Sequence, residues 1–223
     1  MKRIHPDTLS SQSYKMEAQL DHSELLSFVR EALSKKTAAA IIYKLLNLLL
    51  AGSLAALLVY ALVQGAEYFL AAMAYTLLGM GGAMLLIPLH EALHALAYRI
   101  LGAENITFDI KLKKFYFSTL AHGFVINRRE FMIMALLPFV VITTFCLFAL
   151  TWVSGPWSYF LASVLLIHTA CCSGDFGLLS YVSGLRGEVV TYDDVGQKLT
   201  FFFVRDTVEE RTKSSYPSES QGI

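Results

Sequence analysis

Apolar residues gather into four long runs separated by short polar connections. The runs cover about 41–63, 69–101, 131–153 and 157–182, the first interrupted only by Lys44 and Asn47 near its start. At 1.5 Å rise per residue, each is long enough to cross a hydrocarbon layer of about 30 Å as a helix. The second has residues to spare and is expected to tilt or to project beyond the lipid. Elsewhere the period changes. Ile106, Phe108, Ile110 and Leu112 alternate with Thr107, Asp109, Lys111 and Lys113, the period of a strand. Phe115–Phe117 and Gly123–Ile126 can supply further short strands, with a turn near Ala121-His122-Gly123. Glu188–Tyr192 and Leu199–Val204 read as short strands around Asp193-Asp194-Val195-Gly196. Near the amino terminus, Leu25, Leu26, Phe28, Val29 and Leu33 mark a short amphipathic helix, one that docks on a membrane surface or leads into the first run. The expected fold class is an all-α polytopic membrane protein, with four transmembrane helices and a small cytoplasmic-side β-hairpin between the second and third spans. The expected organisation is an amino-terminal segment 1–40, a four-span membrane domain 41–183 and a tail 184–223. The end of that tail, Glu209–Ile223, is polar, rich in Ser and Glu, and expected to be disordered.

Composition agrees with that pattern. Of 223 residues, 55% are hydrophobic and 16% charged, and the mean hydropathy is +0.52. Soluble domains carry about 25% charged residues. The formal net charge is zero, with 18 basic and 18 acidic residues, so nothing favours nucleic acid as a partner. The placement of Lys and Arg is more telling than their number. The connections Gln64–Tyr68 and Ser154–Ser158 have none. Lys2, Arg3, Lys15, Arg30, Lys35 and Lys36 precede the first run. Arg99, Lys111, Lys113, Lys114, Arg128 and Arg129 flank or fill the middle connection, and Arg186, Lys198, Arg205, Arg211 and Lys213 follow the fourth run. Lys44, one turn into the first run, can snorkel to the same side. The positive-inside rule then gives a multi-pass protein of the cell membrane with both termini cytoplasmic. The first run starts after some forty mostly polar residues, which reads as a retained anchor rather than a cleavable signal peptide. Cys146, Cys171 and Cys172 lie in apolar runs without C-x-x-C spacing, so buried thiols are expected rather than a disulfide framework.

The second run contains His90-Glu91-Ala92-Leu93-His94. Residues four apart share a helix face, so His90 and His94 can direct their imidazoles at one ion, while Glu91 can act as general base on a water held by it. Arg99 marks the interface nine residues later, which puts His90 roughly 13 Å inside the apolar layer. A catalytic zinc takes three protein ligands and leaves one position open. Asp175 is the best third ligand: it lies eleven residues before Arg186, roughly 16 Å inside from the same face. His168, His122 and Glu104 compete for that role. His168 is seven residues before Asp175, on the same helix face but about 10 Å further in, which suits a supporting role better than a shared ion. His122, in the hairpin region, is a second supporting candidate. Pro88 and Pro138 are expected to kink the second and third spans, and Gly79, Gly81 and Gly82 to allow close helix contacts.

Ile87-Pro-Leu-His-Glu-Ala-Leu-His-Ala-Leu in a span, followed by a short strand region and by Ser173-Gly174-Asp175, resembles the DUF3267 family of zincin-type peptidases. More distantly the chain is similar to intramembrane metalloproteases of the site-2 protease type, which place their Asp in an N-P…D-G context; here Phe176 separates Asp175 from Gly177. The resemblance covers roughly residues 83–181. It implies Zn2+ as cofactor, His90, His94 and Asp175 as its ligands, and Glu91 as the catalytic base. The expected activity is a zinc-dependent endopeptidase acting on a membrane or membrane-proximal polypeptide at or within the cytoplasmic leaflet. The alternative is a non-catalytic membrane protein whose structural or sensory metal site regulates a partner. A metal transporter is a weaker third, because it would need more ligands across the outer half of the bundle.

Overall fold

In the computed structural model, residues 4–111 and 116–206 are described. The elements, in chain order, are β1 (Lys15–Asp21), α1 (Leu25–Ser34), α2 (Ala38–Gln64), α3 (Ala66–Met84), α4 (Ile87–Leu101), β2 (Ile106–Lys111), β3 (Tyr116–Ala121), β4 (Ile126–Asn127), α5 (Arg128–Leu150), α6 (Pro156–Cys171), α7 (Ser173–Gly184), β5 (Glu188–Asp194) and β6 (Leu199–Arg205). Helices dominate. Three helical stretches, α2, α3–α4 and α5, are long and apolar enough to cross a membrane, and α6–α7 makes a fourth if the bent pair counts as one span. Leu48 and Leu49 on α2 and Phe145 and Phe148 on α5 are largely exposed. Such apolar outer faces suit lipid, where the hydrophobic effect does not drive them inward.

The runs read from the sequence are present with two interruptions. The second run breaks at Leu85–Leu86 into α3 and α4. Pro88 has no N–H to offer the carbonyl four residues earlier, which belongs to Met84, the last residue of α3. The kink expected at Pro88 is therefore a break, and the proline sits in the first turn of α4, where its missing N–H costs nothing. The fourth run bends by 44° at Cys172, between α6 and α7. Its lower half starts afresh as a short helix with Asp175 in its first turn, where the helix dipole favours a negative charge.

The all-α expectation is too narrow, because the strands form two sheets. β2 and β3 pair antiparallel from Ile106 opposite Ala121 to Lys111 opposite Tyr116, so the expected hairpin is there. Its second strand runs on to Ala121, through residues the sequence pattern left between two short strands. The residues joining β2 to β3, together with Lys113 and Lys114, lie outside the described residues, as does the expected disordered end Glu209–Ile223. The second sheet has the order β1-β6-β5-β4 and is antiparallel throughout. β5 and β6 match the two strands read from the tail. β1 has no counterpart in the reading above: its burial alternates weakly, and it is held by pairing with β6 from Lys15 opposite Val204 to Asp21 opposite Leu199.

One end of the helical bundle carries all of this. β4 runs straight into α5 through a capping box in which Asn127 accepts from the Arg129 and Glu130 amides and Glu130 accepts from the Asn127 amide. Arg128 donates to the carbonyls of Ser183, Leu185 and Gly187, tying the start of α5 to the end of α7. α1 lies across α7, where a Cβ on Gly177 would come within 2.8 Å of Val29 Cγ1. The core at this end joins α4, α5 and α7 to the larger sheet through Tyr98, Phe131, Met134, Leu179, Val182 and Phe202.

At the other end, α3 packs on α6 through Gly79, where a Cβ would meet Ser163 Oγ at 2.1 Å and the Phe160 carbonyl oxygen at 2.3 Å. Gly81 has nothing within 4 Å of such an atom. Gly79→Ala is therefore expected to lower stability by about 1–3 kcal/mol, read as an earlier midpoint when the detergent-solubilised protein is titrated with denaturing detergent. Gly81→Ala should leave that midpoint unchanged or raise it.

Candidate metal centre

His90 and His94 share the face of α4 that meets α7. Their Nε2 atoms are 3.0 Å apart. Asp175 closes the triangle, with Oδ2 at 3.2 Å from His90 Nε2 and Oδ1 at 3.1 Å from His94 Nε2. All three side chains are mostly enclosed, at 12%, 8% and 17% exposure for His90, His94 and Asp175. Donor atoms about 2.0–2.1 Å from one tetrahedral ion lie about 3.3 Å from each other, close to these separations. Two imidazole nitrogens and one carboxylate oxygen also match the donor set of catalytic zinc, with three protein ligands and a fourth position left open. The residues fit the ion.

The second nitrogen of each imidazole is also engaged. His94 Nδ1 lies 2.9 Å from the carbonyl oxygen of Met134 on α5, so it donates there and leaves the Nε2 lone pair facing Asp175. That carbonyl is available for a definite reason. Its helical partner would be the amide four residues on, and that residue is Pro138, inside α5 and without an N–H. His90 Nδ1 lies 3.4 Å from Nε2 of the buried His168 on α6, a long contact that directs His90 Nε2 the other way. His168 thus meets the far nitrogen of His90.

Glu91 is held from the hairpin. Thr119 Oγ1, on β3, lies 2.8 Å from Glu91 Oε2 and 3.0 Å from the Glu91 carbonyl. Two cavities meet at this residue. One, of about 120 Å³, is lined by Glu91, His94 and Asp175 and runs toward the larger sheet. The other, of about 470 Å³, is lined by Glu91, His90 and His168 and lies beside the break between α6 and α7. Phe117 on β3 borders both. A carboxylate in that place can exchange a proton with a molecule bound at the open position.

A second group of donors, His90, His168 and Cys172, also converges, with Cys172 Sγ 3.9 Å from His168 Nε2. Cys172 is fully buried and lines neither cavity, so its thiol would have to ionise in an apolar surrounding before it could bind an ion. The first group needs no such step. Of the remaining candidates, Glu104 lies in the turn after α4, where its carbonyl accepts from Arg99. His122 sits at a surface turn, its side chain 55% exposed; Nδ1 accepts from the Val195 amide at 3.1 Å and faces Asp194 at 3.9 Å. Among the described residues, neither belongs to a converging group of donors. Thr119 and the Met134 carbonyl were missed by sequence reasoning. A proline four residues after Met134, in a span facing the His pair, was the available signal for the carbonyl; Thr119 left none.

One segment of the chain is similar to a known family. Residues 83–186 match the model of the DUF3267 family, described as "Putative zincin peptidase". No curated protein and no solved structure matches the chain. The DUF3267 match begins at the end of α3 and ends before β5, so it holds α4, the hairpin, α5, α6 and α7, with every residue of the centre described above. β1, β5 and β6 lie outside it.

The arrangement predicts about one zinc per chain on metal analysis of the purified protein, with at least about a tenfold lower affinity in His94→Ala or Asp175→Ala. His122→Ala should retain the metal.

Proposed function

We propose that the protein is a zinc-dependent, membrane-embedded endopeptidase that hydrolyses a peptide bond of a membrane or membrane-proximal polypeptide, at or within the cytoplasmic leaflet of the cell membrane. The observation that carries this reading is the triangle of His90 Nε2, His94 Nε2 and the Asp175 carboxylate with Glu91 beside it at the meeting of two cavities. The DUF3267 match and the apolar helices support it. So does the charge pattern, which under the positive-inside rule favours a cytoplasmic side for both termini and the sheet-bearing end.

His90, His94 and Asp175 would hold the ion. When bound there, zinc supplies a Lewis acid and lowers the pKa of its water to about 7. The protein's own groups do the rest. Glu91, aimed by the Thr119 hydroxyl, takes a proton from the attacking water and passes it to the leaving amine nitrogen. The Met134 carbonyl keeps His94 in the tautomer that presents Nε2, and His168, 3.4 Å from His90 Nδ1, steadies the His90 ring. The substrate has to be extended, because a helical peptide bond is shielded by its own hydrogen bonds. Among the described residues the β2–β3 sheet has two strands, so β2 keeps an open outer edge, flanked by exposed Phe108 and Ile110, to which an extended segment can add. The neighbouring strand, β3, contacts Glu91 through Thr119.

Glu91→Gln should keep its zinc and lose cleavage of a membrane-anchored test polypeptide by about 10²-fold or more. Unchanged cleavage in that variant contradicts the proposal, and metal without turnover in the unaltered chain favours a regulatory metal site. Pro138→Ala returns an amide to compete for the Met134 carbonyl. It should weaken zinc binding by about tenfold, measured by competition with a chelator, while the helix content is retained.

A further inference from the structure

The smaller cavity does not end at the metal centre. From Glu91, His94 and Asp175 it passes between apolar walls, among them Phe117, Phe131, Met134, Leu178 and Phe202, and ends against the larger sheet. That end is polar. It is lined by His22, Thr191, Asp193 and Thr200, from the turn after β1 and from β5 and β6. His22, Thr191 and Asp193 are more than nine-tenths buried, at 6%, 3% and 8% exposure. Thr200 Oγ1 donates to Asp193 Oδ1 at 2.7 Å, so it accepts from Nε2 of His22 at 3.1 Å. Tyr98 OH approaches Asp193 Oδ2 at 3.4 Å. Thr191 Oγ1 has no hydrogen-bond partner among the described residues.

The donors to the Asp193 carboxylate are the Thr200 and Tyr98 hydroxyls and the Ala121 backbone amide, all of them uncharged, so its charge is incompletely compensated. Burial holds the Asp193 carboxyl above the usual carboxylate range, although the Thr200 hydroxyl and the nearby His22 pull it down. A cation beside it would remove that cost. The dimensions suit one long side chain. Tyr98 is one turn, about 6 Å, along α4 from His94, a span on the order of the reach of a lysine's four-carbon stem. Apolar walls accept such a stem, and Asp193 and Thr191 offer acceptors to its head. β5, β6 and the turn after β1 lie outside the segment matched by the family, so this end of the cavity is built by parts of the chain additional to the metal-binding core.

We propose that the sheet-side end of this cavity is a specificity pocket for a lysine or arginine side chain of the substrate, next to the bond that is cut, with Asp193 as its counter-charge. This rests on the peptidase reading of the same centre and names its substrate class: a polypeptide with a basic residue close to the cytoplasmic end of a membrane span, where Lys and Arg are abundant.

Binding, rather than cleavage, tests the pocket independently of turnover. The full-length Glu91→Gln chain, zinc-loaded and in detergent, is titrated with fluorescein-labelled, membrane-anchored peptides in which one juxtamembrane position at a time carries lysine, Nε-acetyl-lysine or leucine. At one position, lysine should bind at least about tenfold tighter than either replacement. Asp193→Asn should bring the three within about twofold of each other, and Asp193→Glu should restore part of the preference. The proposal is overturned if lysine and acetyl-lysine bind within about twofold of each other at every position, or if the preference survives Asp193→Asn. Should Asp193→Asn fail to fold, the comparison of lysine with acetyl-lysine on the otherwise unaltered chain decides alone. A lysine preference in binding with no cleavage by the chain retaining Glu91 removes the peptidase reading and leaves the pocket. Cleavage without a preference does the reverse.

Discussion

His90, His94 and Asp175 lie between apolar helices, and the arrangement around them follows from the need to satisfy buried polar atoms. Each imidazole has one nitrogen facing the carboxylate and another facing a neighbouring helix, α5 for His94 and α6 for His90. Four helices, α4, α5, α6 and α7, thus meet at one cluster. The Met134 carbonyl takes part because Pro138 has released it from its own helix. In a membrane-embedded bundle an unpaired carbonyl is costly, so the proline and the histidine answer one another: each supplies what the other's position leaves unmet.

The interruptions of the helices serve the same cluster. The break before Pro88 starts α4 just ahead of its histidines, and the bend at Cys172 lets α7 begin with Asp175 in its first turn. Both breaks border the larger cavity, through Ala83 and Ile87 on one side and Cys171 and Ser173 on the other. The side of the centre toward the sheet is instead enclosed by the core that joins α4, α5 and α7 to β5 and β6. The centre therefore lies between two cavities, with Glu91 and Phe117 at their junction.

Much of this was legible in the sequence, because the signals were local. Apolar runs gave the helices to within a few residues, alternation gave β2, two short runs around Asp193-Asp194-Val195-Gly196 gave β5 and β6, and the i, i+4 spacing of His90 and His94 together with the depth of Asp175 indicated the three donors that the structure brings together. What was not legible depends on contacts distant in the chain. β1 is weakly patterned, and its conformation is fixed by β6, more than 170 residues away. Thr119 is an ordinary strand residue until the hairpin folds back over α4. His22, Thr191 and Asp193 carry no motif, and only the packing of the sheet against the bundle makes them one cavity wall. Pro138 was legible as a helix irregularity, whereas its consequence for His94 needed the register between α4 and α5.

The central claim concerns which donors hold the ion, and the two converging groups differ in one element that can be read directly. X-ray absorption at the zinc edge on the metal-loaded, full-length protein measures the first coordination sphere. The account predicts nitrogen and oxygen neighbours alone, at about 2.0–2.1 Å, with the scattering signature of two imidazoles. A sulfur neighbour at about 2.3 Å would place the ion at His90, His168 and Cys172 instead, and would contradict it.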